Sequence, residues 1–191
     1  MSESTSTETG TEEARTNGAA GLPEPTVHDP VHRTSYAFEQ EGETLWVYTW
    51  FKPGAQLPEH FHPSYEERWE ALDGTLRAKA GGSWRDLTPA DGVLLVERNV
   101  RHALRNESGR EAIGRTEVTP PGQLIDFLTE SAKAARDGLY NARNLPRSWR
   151  GALWVADFAD RFKDDTVVTS PPPALQRVLL PPLVRLARRR R

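Results

Sequence analysis

The chain has 191 residues, with 25 Lys and Arg against 27 Asp and Glu, and it contains five histidines and no cysteine. The absence of cysteine excludes disulfide frameworks, iron–sulfur clusters, zinc ribbons and thiol nucleophiles, so a metal site must use histidine or carboxylate ligands. A formal net charge of −2 argues against a domain built mainly to bind nucleic acid, because such binding depends on neutralising phosphates. The length fits one domain with appendages.

The N-terminal region is poor in apolar residues. After Met1 there is no Leu, Ile, Val or aromatic residue before Leu22. Such a segment buries too little apolar area to offset its ordering entropy, so we expect residues 1–25 to form a disordered acidic tail. It has no apolar core for a signal peptide, and no stretch of about 18 apolar residues occurs in the chain, which predicts a cytoplasmic protein.

Short runs of β-type residues follow, separated by glycine-containing turns. Many short strands at regular spacing predict a β-sandwich or barrel, which we place at residues 30–120. The run from Leu45 to Phe51 is apolar on both faces, which predicts a central strand covered on both sides. The predicted strands are Thr34–Glu39, Thr44–Phe51, Gln56–His62, Glu67–Leu72, Thr75–Ala80, Ser83–Leu87, Val93–Glu97, Arg101–Arg105 and Ile113–Thr119.

After Pro120 the apolar period lengthens to that of a helix. We predict a C-terminal helical extension over residues 121–191 that ends in a basic tail of four arginines. A third helical stretch, Ala174–Ala187, is expected to kink or split at Pro181 and Pro182. The periodic apolar positions are Leu124, Leu128, Ala135 and Leu139, followed by Trp154, Phe158 and Phe162.

Two histidines stand two residues apart in one predicted strand. Residues i and i+2 of a strand share a face, so His60 and His62 present two imidazoles side by side. A carboxylate from Glu66 or Glu67 can return to the same point across a short turn. Parity favours Glu67, because it then shares the inward face with Trp69 and Ala71.

A third nitrogen is offered by His102, which shares one strand face with Leu104 and Asn106. The remaining two histidines, His28 and His32, stand near the tail. We expect both to be solvated loop residues.

The spacing of these residues resembles the cupin superfamily. Its second motif is matched at His102 and Asn106, with Glu97 in place of a proline and Asn99 in place of a glycine. Asparagine tolerates a left-handed backbone, so we expect Asn99 to keep the turn. The resemblance covers residues 34–119, and the first motif is matched with every spacing kept at Gly54, His60, His62, Glu67 and Gly74.

Membership of this superfamily, as a single-domain type-2-like cupin, implies a mainly β fold: a small antiparallel jelly-roll barrel of two sheets. It also implies that His60, His62, Glu67 and His102 bind one divalent transition metal ion. Three imidazoles and a carboxylate suit Fe, Mn, Ni, Cu or Zn.

The resemblance favours a metal-dependent oxidoreductase, in particular a dioxygenase, acting on a small apolar or aromatic molecule. No catalytic residue separate from the ligands is identified. Two alternatives stay open: a non-catalytic ligand-binding or sensor cupin, and a sugar isomerase or epimerase in which a histidine acts as a base without metal. The residues expected to line an apolar pocket around the ion are Trp46, Tyr48, Trp50, Phe51 and Trp69.

The resemblance and the net charge also predict which partners the chain has. The resemblance implies a homodimer, and the net charge predicts no nucleic-acid partner. For the basic C-terminal segment, a solvated helix end is favoured over contact with an anionic membrane.

Overall fold

The β domain consists of two antiparallel sheets, seen in a computed structural model that describes residues 21–189. Its strands are β1 (Val27–Asp29), β2 (Thr34–Glu41), β3 (Thr44–Phe51), β4 (Gln56–Phe61), β5 (Glu67–Asp73), β6 (Leu76–Ala80), β7 (Trp84–Leu87), β8 (Leu94–Val96), β9 (His102–Arg105), β10 (Ala112–Val118) and β11 (Val167–Val168). One sheet has the order β1-β2-β3-β10-β5-β8 and the other β11-β4-β9-β6-β7. The predicted mainly β, two-sheet barrel is therefore confirmed.

All nine predicted strands are present, with ends shifted by a few residues. Two strands were missed, β1 and β11, which have three and two residues. Runs this short carry no detectable alternation, so only their tertiary pairing reveals them. β11 matters for the site, because it places the helical extension alongside β4.

β3 is a central strand, as predicted, and lies between β2 and β10. Its inward side chains, including Leu45 and Phe51, are buried. On the outer face Tyr48 is buried, whereas Trp46 and Trp50 are only half-buried. The prediction that β3 is covered on both sides therefore holds for the inner face and only in part for the outer face.

Three helices follow the barrel: α1 (Leu124–Arg136), α2 (Trp149–Phe162) and α3 (Pro173–Arg188). α2 begins after Ser148, whose hydroxyl accepts the Gly151 N–H at 3.1 Å, which satisfies a donor that the first turn leaves free. Aromatic side chains of α1 and α2 pack together, with ring centroids of Phe127 and Phe158 4.9 Å apart. The helices thus form a second layer beside the barrel.

The predicted split in the third helix is not found, because α3 continues through Pro181 and Pro182. Each proline removes one backbone donor. Tertiary contacts offset this loss: α3 packs along α2, Val184 is buried, and Arg188 donates to Asp160 Oδ2 at 2.6 Å.

The expected N-terminal tail lies mostly outside the described residues, which begin at Gly21, and residues 22–26 have no helix or strand. Of the basic tail, Arg190 and Arg191 also lie outside them. Among the helices in the described part, none is long and apolar enough to cross a membrane.

Candidate metal centre

The four predicted ligands come from both sheets and meet between them. His60 lies in β4 directly opposite His102 of β9, and His62 follows one residue after the end of β4. Glu67 begins β5 in the other sheet. One ligand atom from each of the four side chains lies within 4.8 Å of the others, so the structure brings together every residue that the sequence singled out for this site.

Each of the three imidazoles is held by a backbone carbonyl. A carbonyl oxygen can only accept a hydrogen bond, so Nδ1 must carry the proton and Nε2 must present its lone pair. This is the tautomer that a metal ion requires at Nε2. The pairs are His60 Nδ1 with Pro58 O at 2.7 Å, His62 Nδ1 with Asp165 O at 2.8 Å and His102 Nδ1 with Val100 O at 2.8 Å.

The free nitrogens converge on the Glu67 carboxylate. His62 Nε2 lies 3.2 Å from Glu67 Oε1, and His102 Nε2 lies 3.5 Å from Oε2. Both nitrogens are buried and have no hydrogen-bond partner among the described residues. Buried polar atoms are rarely left unpaired, so this cluster suits a divalent cation, which all four side chains would coordinate.

Glu67 is additionally fixed by Trp69, whose Nε1 donates to Oε2 at 2.7 Å. Burial by itself would raise the pKa of Glu67, but charge interactions with the three histidines hold that pKa well below its usual range. Burial, followed by repulsion from His102 and His62, lowers the pKa of His60 well below the ordinary histidine value. Burial also lowers the pKa of His102. At neutral pH the site therefore holds an ionised carboxylate with neutral His60 and His102.

The second motif keeps its turn despite the substitutions in it. Asn99 has a φ of 63°, as expected, and its N–H donates to His62 O at 2.9 Å. Asn106 is buried and its amide donates to the carbonyls of Phe51 and Arg110, both at 2.8 Å. Asn106 therefore holds the strand ends and is not a ligand.

The C-terminal extension contributes to the site, which the sequence did not indicate. Asp165 supplies the carbonyl for His62, and its side chain accepts from Ser64 at 2.9 Å. β11 pairs with β4 so that Val168 stands opposite His60. Tyr65 stacks on the other side of His62, with ring centroids 4.4 Å apart. The orientation of His62 thus depends on residues about a hundred positions away in the chain.

Both histidine-containing motifs therefore deliver their side chains to one point between two antiparallel sheets. This is the arrangement implied by the resemblance of the two motifs to the cupin superfamily. Neither a protein-family model nor a curated protein matches its sequence.

Solved structures with a similar fold include cupins. An RmlC-like cupin from Shewanella frigidimarina is 18% identical, with 53% of this chain and 89% of that chain covered and a TM-score of 0.46. KdgF from Halomonas sp. is 14% identical over 54% of this chain and 93% of that chain, with a TM-score of 0.48. A conserved protein with a double-stranded β-helix domain from Klebsiella pneumoniae is 20% identical over 52% and 84%, with a TM-score of 0.42.

A cavity of about 980 Å³ extends from the four-residue cluster to the helices. His60, His62 and Glu67 line it at one end, and Val47, Trp69 and Leu104 contribute barrel side chains. The helices supply a largely apolar wall that includes Leu124, Phe127, Leu128, Trp154, Phe158 and Val184.

Of the five residues expected to line the pocket, only Trp69 does so. Trp46, Tyr48 and Trp50 alternate with the inward residues of β3 and point to the outer face. Phe51 points inward but is buried in the barrel core with Leu76 and other apolar side chains. The aromatic wall comes instead from the helices, whose position relative to the barrel the sequence did not predict.

The two remaining histidines differ from one another. His28 is exposed and bonds Ser35 Oγ at 2.9 Å, as expected for a solvated residue, but it lies in strand β1 and not in a loop. His32 is buried and pairs with Asp29 at 2.8 Å on the cavity wall, so its prediction as a solvated residue is wrong. β1 was not predicted, and it is this strand that positions Asp29 beside His32.

Proposed function

We propose that this cupin is a mononuclear metal-dependent oxidoreductase, dioxygenase-like in its chemistry, that acts on a small apolar or aromatic molecule. The observation that carries the proposal is the coincidence of two features: a set of four ligands with preset tautomers, and a largely apolar cavity into which that set opens. His60, His62, Glu67 and His102 would hold the ion. Fe, Mn, Ni, Cu and Zn all accept this donor set.

Each part of the chain has a defined task in this proposal. Bound Fe, Mn, Ni or Cu would supply redox chemistry with O₂, whereas Zn²⁺ has no redox chemistry and would serve only to test binding. In a dioxygenase both oxygen atoms end in the product, so the substrate supplies the electrons and no external reductant is required. Trp69 keeps the Glu67 carboxylate oriented, and the apolar walls bind the substrate and exclude water from the reacting end.

The side chains of the cavity walls argue against one of the two alternatives, the sugar isomerase. A sugar isomerase needs hydrogen-bonding groups along the substrate, whereas the walls formed by α1 and α2 are mainly aliphatic and aromatic. A non-catalytic ligand-binding cupin would need only the cavity, so turnover is the property that separates it from the enzyme.

The test is oxygen uptake by the full chain loaded with each metal in turn and given a panel of aromatic and apolar substrates. With ¹⁸O₂, we expect both labelled atoms in one product molecule. Glu67→Gln should abolish uptake, whereas Glu66→Gln, at a half-buried position next to it, should leave uptake unchanged. No oxygen uptake with any combination of metal and substrate would favour the non-catalytic alternative.

A further inference from the structure

A second polar cluster lies on the cavity wall, apart from the four metal ligands. It is formed by Asp29, His32 and Tyr140, which are all buried and all line the cavity. Charged residues such as Lys163 and Arg177 also line the cavity but are exposed, whereas these three groups are buried, and their burial needs a physical reason.

Asp29 fixes the imidazole of His32. Its Oδ2 lies 2.8 Å from His32 Nδ1, and its Oδ1 accepts the backbone N–H groups of Val31 at 2.8 Å and His32 at 3.0 Å. Burial would raise the pKa of Asp29, but its hydrogen bonds with the His32 side chain and with the backbone of His32 and Val31 lower that pKa. An ionised carboxylate accepts only, so in the neutral imidazole Nδ1 carries the proton and Nε2 presents a lone pair.

No donor in the described part of the chain pairs with this lone pair. Nε2 of His32 is buried and has no hydrogen-bond partner among the described residues. A buried acceptor without a partner costs about 1–3 kcal/mol, and native structures seldom retain one without a function. A dyad that served only to hold β1 in place would not need the unpartnered nitrogen.

α1 is tied to this second cluster. Ser131 Oγ lies 2.9 Å from the Tyr140 hydroxyl, which itself lies 3.4 Å from Asp29 Oδ2. Leu124 and Ser131 of this helix both line the cavity, so one helix face borders the space that contains the unpartnered nitrogen.

We infer that the cavity binds a largely apolar molecule with an oxygen group at the metal end and a hydroxyl at a second polar point, where His32 Nε2 receives it. This inference rests on the proposed function for the metal end only. Asp29 and Tyr140 act as positioning residues, because they hold the imidazole in the tautomer that accepts the hydroxyl.

The test compares ligands that differ only in that hydroxyl. Fatty acids of six to twelve carbons and the corresponding ω-hydroxy fatty acids are titrated calorimetrically into the zinc-loaded and the metal-free full chain. At the chain length that fits, the hydroxyl should strengthen binding up to about tenfold, the size of one good hydrogen bond. In His32→Phe the two ligands should bind equally, whereas His28→Phe, the same change at an exposed position, should keep the preference.

A second measurement does not depend on a variant that folds. Long-range ¹H–¹⁵N correlation spectra of the wild-type chain should show His32 protonated at Nδ1 and free at Nε2, with an Nε2 shift on adding the hydroxy acid alone. A proton on Nε2, no hydroxyl preference at any chain length, or a preference retained in His32→Phe would overturn the inference. The ratio of the affinities for the hydroxy acid and the plain fatty acid depends only on the hydroxyl end. A hydroxyl preference in the metal-free chain would therefore support this inference even if the metal proposal fails.

Discussion

At the scale of single residues, the site depends on hydrogen bonds that orient its ligands. Three carbonyls set the imidazole tautomers, and Trp69 fixes one oxygen of Glu67. Groups that orient ligands in this way affect metal affinity without touching the metal.

Removing the Trp69 N–H should therefore weaken metal binding. We expect Trp69→Phe, which keeps an aromatic ring, to lower the affinity for Zn²⁺ about 10- to 100-fold, the usual effect of losing such a partner. Trp46→Phe, on the half-exposed outer face of β3, is the matched control and should leave affinity unchanged. Competition with a chromophoric chelator measures both. Equal affinities for the two variants would contradict the role given to Trp69.

The pKa values of the ligands predict how the metal-free protein responds to acid. His60 and His102 have folded-state pKa values below the ordinary value of 6.5, so the unfolded chain binds protons first as the pH falls. Stability should therefore decrease as the pH is lowered from about 6.5, and the depressed pKa of Glu67 adds a further loss below about 4.5. Urea unfolding at a series of pH values measures this. A double variant, His60→Gln with His102→Gln, should show a flatter profile; an equally steep one would contradict the assignment.

The sequence predicted all four ligands, because motif spacing and strand parity both act over short distances. Parity selected Glu67 over Glu66, and Glu67 is the buried one. The sequence could not predict the role of His32, because that depends on β1 and on Tyr140, more than a hundred residues away. It could not reveal Asp165 either, since any residue can supply a backbone carbonyl.

At the scale of secondary-structure elements, the segment between α2 and β11 links the helices to the metal site. Asp165 there accepts from Ser64 at 2.9 Å and from Gln123, just before α1, at 3.1 Å. Gly122 sits directly against it: a Cβ at Gly122 would lie 2.5 Å from Asp165 Oδ1. The close approach requires glycine here.

Gly122→Ala should consequently affect the metal site as well as stability. Its φ of +54° already disfavours alanine, and displacing Asp165 would move the carbonyl that holds His62. Gly138→Ala is the control, because φ is +68° there but nothing lies within 4 Å of the added Cβ. Both variants should lose about 1 kcal/mol or more of unfolding free energy, and only Gly122→Ala should also bind Zn²⁺ more weakly. Unchanged Zn²⁺ affinity in Gly122→Ala would show that Asp165 does not control His62.

At the scale of the whole molecule, barrel and helices together enclose the cavity. The sequence predicted a barrel followed by helices, but it did not predict that the helices form the apolar wall of the cavity. The spacing of apolar residues within one element does not specify which other element it packs against. The same limit explains why Trp46 and Trp50 of β3 were assigned to the pocket although both lie on the outer face.

Filling the cavity should block an apolar ligand. Ala159 of α2 lines it, so Ala159→Trp should weaken binding of the fluorescent probe N-phenyl-1-naphthylamine about tenfold or more. Ala90→Trp places the same side chain at an exposed position of a short 3₁₀ helix and should bind the probe like the wild type. Equal binding by all three proteins would mean that the probe, and by extension an apolar ligand, does not occupy this cavity.

The metal content of the purified chain shows whether the four ligand residues bind an ion. The full chain is loaded separately with Fe, Mn, Ni, Cu and Zn, freed of excess ion by gel filtration, and analysed by elemental mass spectrometry. We predict about one ion per chain for at least one of these metals, because four ligand atoms converge on a single point. The ion should be lost from His60→Ala combined with His62→Ala and retained in His28→Ala. A wild-type chain that holds none of the five metals, or a double variant that holds as much as the wild type, would contradict the proposal that these four residues bind an ion.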